Sequence, residues 1–125
     1  MQLREGNRQT RLNTALEVSA ARDRAFDPVY TGSNAETWIK GLQGSAELSE
    51  GEQIVFDLLM SRQWHNLQNV IYAAENDAIN NDLLENWVLP AYKRTFSSPG
   101  GEKWFEKNKA VLRASTIKYL KLTVG

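Results

Sequence analysis

Two clusters of side chains in this 125-residue chain have types and spacings that could support chemistry. The first is Arg62, His65, Asn66 and Asn69. His65 is the only histidine, and Asn69 lies one helical turn beyond it, so an imidazole and a carboxamide would share a helix face. A carboxylate brought alongside by a neighbouring element would make an acid–base pair, and that is the one enzymatic reading the residues allow. Metal chemistry is not indicated, because a metal site inside a helical bundle draws several histidines and carboxylates from facing helices, often as Glu-x-x-His, whereas residue 62 is an arginine. There is no cysteine to act as a nucleophile and no G-x-S-x-G elbow. We therefore assign no catalytic residue, metal or cofactor, and read His65 as a surface or half-buried residue. If the helix carrying them is central, Arg62, Gln63, Asn66, Gln68 and Asn69 cannot all face water. Arg62 has Asp57 or a carboxylate on an adjacent helix as a candidate partner, and the set could instead line a small ligand pocket between helices.

The second cluster is Ser98, Gly100, Gly101 and Lys103. A serine cap followed by Pro99 is a common helix start, and its amides, near Lys93, Arg94, Lys103 and Lys107, could hold a phosphate or carboxylate. The competing reading, which we favour, is that the two glycines let the turn pack closely while the lysines stay solvated.

These clusters must be positioned by helices. The longest apolar-periodic stretch is Leu48 to Asp77, which the spacing predicts to be one helix and the spine of an antiparallel bundle of about four main helices plus short ones. Ser49 and Glu52 have capping-box spacing. Phe56, Leu59, Met60, Leu67, Val70, Ile71 and Ala74 recur at helical intervals, and Ile54, Val55, Leu58 and Trp64 widen the apolar sector. A shorter helix opens with a second capping box, Ser33 and Glu36, and runs to Leu42. Another is capped by Asn80, with Ile79 and Leu84 at staple spacing and a face of Leu83, Leu84, Trp87, Val88, Ala91, Tyr92 and Phe96. Pro90 should kink or split it. Two more helices are predicted, from Pro99 to Asn108 and from Ser115 to Leu122. Trp38, Trp64, Trp87 and Trp104 all fall on apolar faces, and Trp87 and Trp104 are expected to be buried against the spine.

Length places the chain as a single domain, residues 1–125, and the helical periods above make it all-α. Fifteen basic and fifteen acidic residues cancel, which argues against nucleic acid as a partner. The charge is unevenly distributed: residues 1–34 carry five positive and four negative charges, residues 35–85 two and nine, and residues 86–125 eight and two. Acidic and basic helices lying side by side would account for this. The amino-terminal helix, Gln2 to Phe26, has a face to bury only from about Leu12. Its first turns, residues 1–11, bring Arg4, Arg8 and Arg11 to nearly one side, as a juxtamembrane or solvated helix end would. Asp27 and Pro28 should end it in a loop.

QLR-x-x-N-x-x-T at Gln2 to Thr10, W-x-x-L-x-N at Trp64 to Asn69, a later helix centred on Trp87, and SPGG-x-x-W-F at Ser98 to Phe105 together resemble a widespread family of uncharacterised bacterial proteins. Members of that family carry a transmembrane helix directly before the Gln-Leu/Ile-Arg segment, followed by a helical soluble domain. This chain has fewer aromatics between Asn69 and Ala74 than the family pattern. The resemblance implies that Met1 lies within or just after a membrane helix, and it implies no activity.

Three functional readings are open on these residues. One is a non-catalytic interaction or sensor domain at the cytoplasmic face of the inner membrane, with a protein partner or a second copy of itself, and with Arg4, Arg8 and Arg11 near the membrane surface. Another is a bundle binding a small ligand or lipid through Arg62, His65, Asn66 and Asn69. The third is an enzyme using carboxylates and His65.

Overall fold

A computed structural model describes residues 27–30, 32, 34–44 and 47–120, with isolated positions 13, 16, 17, 20, 21, 23 and 24 ahead of them. The protein is all-α, with no strand among the described residues. Most of the stretch predicted as an amino-terminal helix, including Arg4, Arg8, Arg11 and Leu12, lies outside the described residues, as do Ser33 and the residues beyond Leu120 that the sequence assigned to the last helix. Leu16, in the stretch beyond Leu12 where a buried face was expected, is exposed. Where a loop was expected after it, Asp27–Tyr30 form a 3-10 turn.

Helix α1, Asn34–Leu42, buries Thr37, Trp38 and Gly41 and carries a Glu36–Lys40 pair at 3.7 Å. The spine, α2, runs Glu50–Glu75. Its capping box forms as predicted: Glu52 N donates to Ser49 Oγ and Ser49 N to Glu52 Oε1, both at 3.1 Å. Glu52 also holds α1 to the spine, since Oε2 accepts from Thr37 Oγ1 at 3.5 Å and faces Lys40 Nζ at 3.8 Å. Those contacts, led by the Ser49 amide and then its hydroxyl, keep the Glu52 carboxyl below its usual pKa of 4.5.

The spine ends in a Schellman motif built on Asp77 at φ 57°. Asp77 N bonds Ala74 O at 3.1 Å and Ala78 N bonds Ala73 O at 2.8 Å, so the last carbonyls are satisfied without a glycine. Ile79 is buried, and Asn80 caps the next helix by accepting from Asp82 N at 2.9 Å.

That next helical body has three parts: α3 (Asn81–Leu83), a π-turn (Leu84–Val88) and α4 (Leu89–Ser97). Pro90 falls in the first turn of α4, where its missing N–H leaves no bond broken within that helix, and the wider turn before it, closed by Leu89 N on Leu84 O, relieves the ring's clash with the preceding turn. The expected kink is thus a π-turn. Leu84, Val88, Tyr92 and Phe96 face the core, while Trp87, expected to be buried, stands 69% exposed. Ile54 and Leu58, expected to widen the apolar sector of the spine, are exposed as well.

Ser98 turns the chain sharply. It ends α4 and caps α5, Pro99–Asn108, its hydroxyl donating to Thr95 O at 2.7 Å and accepting from Gly101 N at 3.0 Å. A 3-10 turn, Lys109–Val111, leads to α6, Ala114–Leu120, whose Thr116, Ile117 and Leu120 are buried. The centre of the core is aromatic. Trp64 on the spine meets Phe96 edge-on at 5.1 Å and Trp104 at 5.9 Å, so α2, α4 and α5 converge on one ring. Trp64 lies beside Phe96, and Asn66, further along the spine, bonds Tyr92, earlier in α4, so the two helices run antiparallel. Opposite charges meet between acidic and basic segments, at Lys107–Asp57 (3.4 Å) and Arg113–Glu75 (3.9 Å).

Candidate functional site

The polar residues of the spine do not converge on one pocket. Asn66 is buried and donates its Nδ2–H to the Tyr92 hydroxyl, a bond that ties the spine to α4 and explains how a carboxamide comes to lie inside the core. Asn66 and the exposed Asn69 line a recess of about 520 Å³ with Val70 and Ala73, closed on its other side by Glu17, Ala21 and Arg24. His65, also exposed, opens instead onto a separate crevice of about 150 Å³ that includes Trp64, Gln68, Trp104 and Asn108. No carboxylate is among the described residues lining that crevice, so the acid–base pairing required by the enzymatic reading is not assembled there. Arg62 is exposed and lines neither space. Asp57, its candidate partner, is taken by Lys107 and by Gln53 Nε2, the latter at 3.1 Å. Four residues placed together by helical spacing are therefore divided: Asn66 and Asn69 to one side, His65 to another, Arg62 to solvent.

The glycine corner is a packing device in its geometry. Gly100 and Gly101 are buried. A Cβ on Gly100 would stand 1.6 Å from the Gly41 carbonyl oxygen, and one on Gly101 would stand 2.2 Å from the Thr95 oxygen, so α5 lies directly against α1 on one side and the end of α4 on the other. The Gly101 amide is occupied by Ser98 Oγ, and Lys103 Nζ reaches the Gly44 carbonyl at 2.8 Å. Of the donors expected to hold an anion there, these two are already used.

Sequence periodicity did not anticipate the exposure of Trp87. Trp87 projects from the π-turn with Ala91 and Arg94 at the next helical positions on its side. The only sequence signal for it was Pro90 in mid-pattern, which marks an irregular turn but not the direction in which that turn points a side chain.

Among the described residues, no three His, Cys, Asp or Glu side chains gather as a metal site, and no helix is long and apolar enough to cross a membrane. The fold and these surfaces define an all-α domain. Comparison of the chain with protein-family models, with curated proteins and with solved structures gives no match.

Proposed function

We propose that this chain is a non-catalytic interaction or sensor domain of a membrane-anchored bacterial protein, and that it engages a protein partner through the face around Trp87. The observation that carries the proposal is the exposed indole. Tryptophan is the residue most enriched at the energetic centres of protein interfaces, and at 69% exposure most of its ring lies in water until a partner covers it. Covering a side chain of that size contributes about 3 kcal/mol. Arg94, two turns along and exposed, supplies the other residue type favoured at such centres. The π-turn supports the same reading, because insertions of this kind are frequent at functional positions in helices.

The membrane part rests on the family resemblance and on Arg4, Arg8 and Arg11. Positive charge beside a membrane helix is retained in the cytoplasm, so the domain would lie at the cytoplasmic face of the inner membrane.

The test is site-specific photocrosslinking in cells, with the photoreactive residue at position 87 and, as a control, at the exposed position 102 of α5 in the full-length protein. We expect a discrete product from 87 and none from 102. A product of twice the chain's mass identifies a second copy as the partner. Equal, diffuse labelling at both positions refutes the proposal, and a carboxy-terminal reporter active only after export refutes the topology.

A further inference from the structure

The spine presents a stripe of large side chains to solvent, and it lies on a different helix from the interaction proposed around Trp87. Ile54, Leu58 and Tyr72 are 57%, 66% and 59% exposed, and His65 among them is exposed as well. At about 3.6 residues per turn, Ile54 and Tyr72 point the same way, and His65 and Leu58 fall within about 40° of them. The stripe is therefore narrow and continuous.

Its spacing is that of a coiled-coil seam. Leu58, His65 and Tyr72 recur at one heptad position, and Ile54, Ser61 and Gln68 recur at the position beside it, so the two rows stand at a and d. Asp57 then falls at g and Arg62 at the next e. When two such helices lie parallel, g of one meets the following e of the other, which sets Asp57 against Arg62 once on each side of the two-fold axis. When they lie antiparallel, e meets e, and the two Arg62 side chains oppose each other. The charges thus select the parallel arrangement. Both groups are free to take the contact. Arg62 is exposed and makes no ion pair or hydrogen bond among the described residues. The Asp57 carboxylate accepts from Gln53 Nε2 at 3.1 Å and Lys107 Nζ at 3.4 Å, which leaves lone pairs for a third donor.

We infer that a second copy of this chain docks on the stripe, the two spines parallel, with Leu58, His65 and Tyr72 of each copy against the same residues of the other. Ile54 and Leu58 at one end and Tyr72 at the other supply the affinity. His65, polar at a central a position, fixes the register and lowers that affinity. The seam covers about three heptads, roughly 30 Å of helix, which is at the low end of interface size and calls for a dissociation constant in the micromolar range.

Sedimentation velocity of the 125-residue chain between about 1 and 500 µM tests this, since a micromolar dimer forms within that range. The parent should pass from monomer to dimer. Leu58→Glu should remain monomeric throughout while keeping its helical circular dichroism, because the leucine is exposed and leaves no core contact behind. Asp57→Arg and Arg62→Asp should each weaken self-association about tenfold, since each sets like charges together on both sides of the axis. An equal mixture of those two variants should recover the parental dimer as a heterodimer, which a merely structural loss at either position would not produce. Trp87→Ala should dimerise like the parent. A chain that stays monomeric to 500 µM overturns the inference, and so does a dimer that survives Leu58→Glu or is lost in Trp87→Ala. An Arg62→Asp dimer tighter than the parent would mean that the arginines oppose each other, and it overturns the parallel pairing.

Discussion

Adding one methyl group at Gly100 should unseat α1 from the bundle. The added Cβ would lie 1.6 Å from the Gly41 oxygen, 2.6 Å from the Gly41 carbonyl carbon and 3.0 Å from Leu42 Cα, all of them backbone atoms that no rotamer change can move. A carbon rests about 3.3 Å or more from a carbonyl oxygen, so the two helices must separate by roughly 1.7 Å. Overpacking of this kind costs about 1–3 kcal/mol when the backbone shifts to absorb it, and more when it cannot. The alternative is for α1 to lift away, which forfeits the burial of Trp38, about 3 kcal/mol, and strains the Glu52 contacts with Thr37 and Lys40. Alanine in place of glycine in a helix returns at most about 1 kcal/mol. The net expectation for Gly100→Ala is a loss of about 2–3 kcal/mol, or about 8–12 °C in melting temperature by circular dichroism. Gly51 is the internal control: it is helical, exposed, and has nothing within 4 Å of where a Cβ would stand. Gly51→Ala should therefore stabilise the protein by about 0.5–1 kcal/mol. A Gly100→Ala variant that melts at or above the parent would refute the reasoning, and so would a Gly51→Ala variant that loses as much as Gly100→Ala.

Two further predictions separate core from surface. Trp104→Ala should cost about 3–5 kcal/mol, because its ring is 4% exposed and packs on Trp64 and Phe96, while Trp87→Ala should change stability by no more than about 0.5 kcal/mol; urea denaturation of both variants checks the contrast, and similar midpoints would contradict the burial pattern. Glu52 has a lowered folded pKa, so its charged form contributes stability above its unfolded pKa, and that contribution is lost as pH falls through the folded value. The stability gap between the parent and Glu52→Gln should accordingly be constant near neutrality and close only below pH 4.5; a gap that persisted in strong acid would show that the charge is not what the Ser49 cap holds.

Helix identities and starts were legible because their signals are local. Ser49 with Glu52, Asn80, and Ser98 with Pro99 each satisfy orphan amides within a few residues, and all three caps form where the pattern places them. The spine's terminus was less clear, since the residue at positive φ is an aspartate where glycine is the usual marker. Contacts between helices were legible only coarsely, as Trp104 on the spine and acidic segments beside basic ones, and not as particular close approaches. That Gly100 needs Gly41 opposite it, 59 residues away in the chain, depends on how α5 crosses α1, and neither glycine announces the other. The candidate site suffered the same limit: spacing can put Arg62, His65, Asn66 and Asn69 on adjoining parts of one helix, but only the neighbouring helices decide that Asn66 turns inward to Tyr92 while His65 faces a crevice beside Trp104.

Trp87 shows how a regular pattern can mislead. Leu84, Val88, Tyr92 and Phe96 recur every four residues, and in an uninterrupted α-helix each step of four advances the side chain by about 40° around the axis. Three such steps would carry Phe96 about 120° away from Leu84, too far for both to point into one core. Counting apolar positions at three and four therefore brought in Leu83, Trp87 and Ala91 to widen the face. The chain resolves the drift differently. Its π-turn at Leu84–Val88 advances each residue by less than an α-turn does, which pulls the fourfold series back into line, and all four of those side chains are buried. The face is then narrow enough to exclude its neighbour, and Trp87 is turned out to solvent. The same irregularity that lets Pro90 sit in the middle of a helical body thus both completes the core and creates the exposed indole on which the proposed interaction depends.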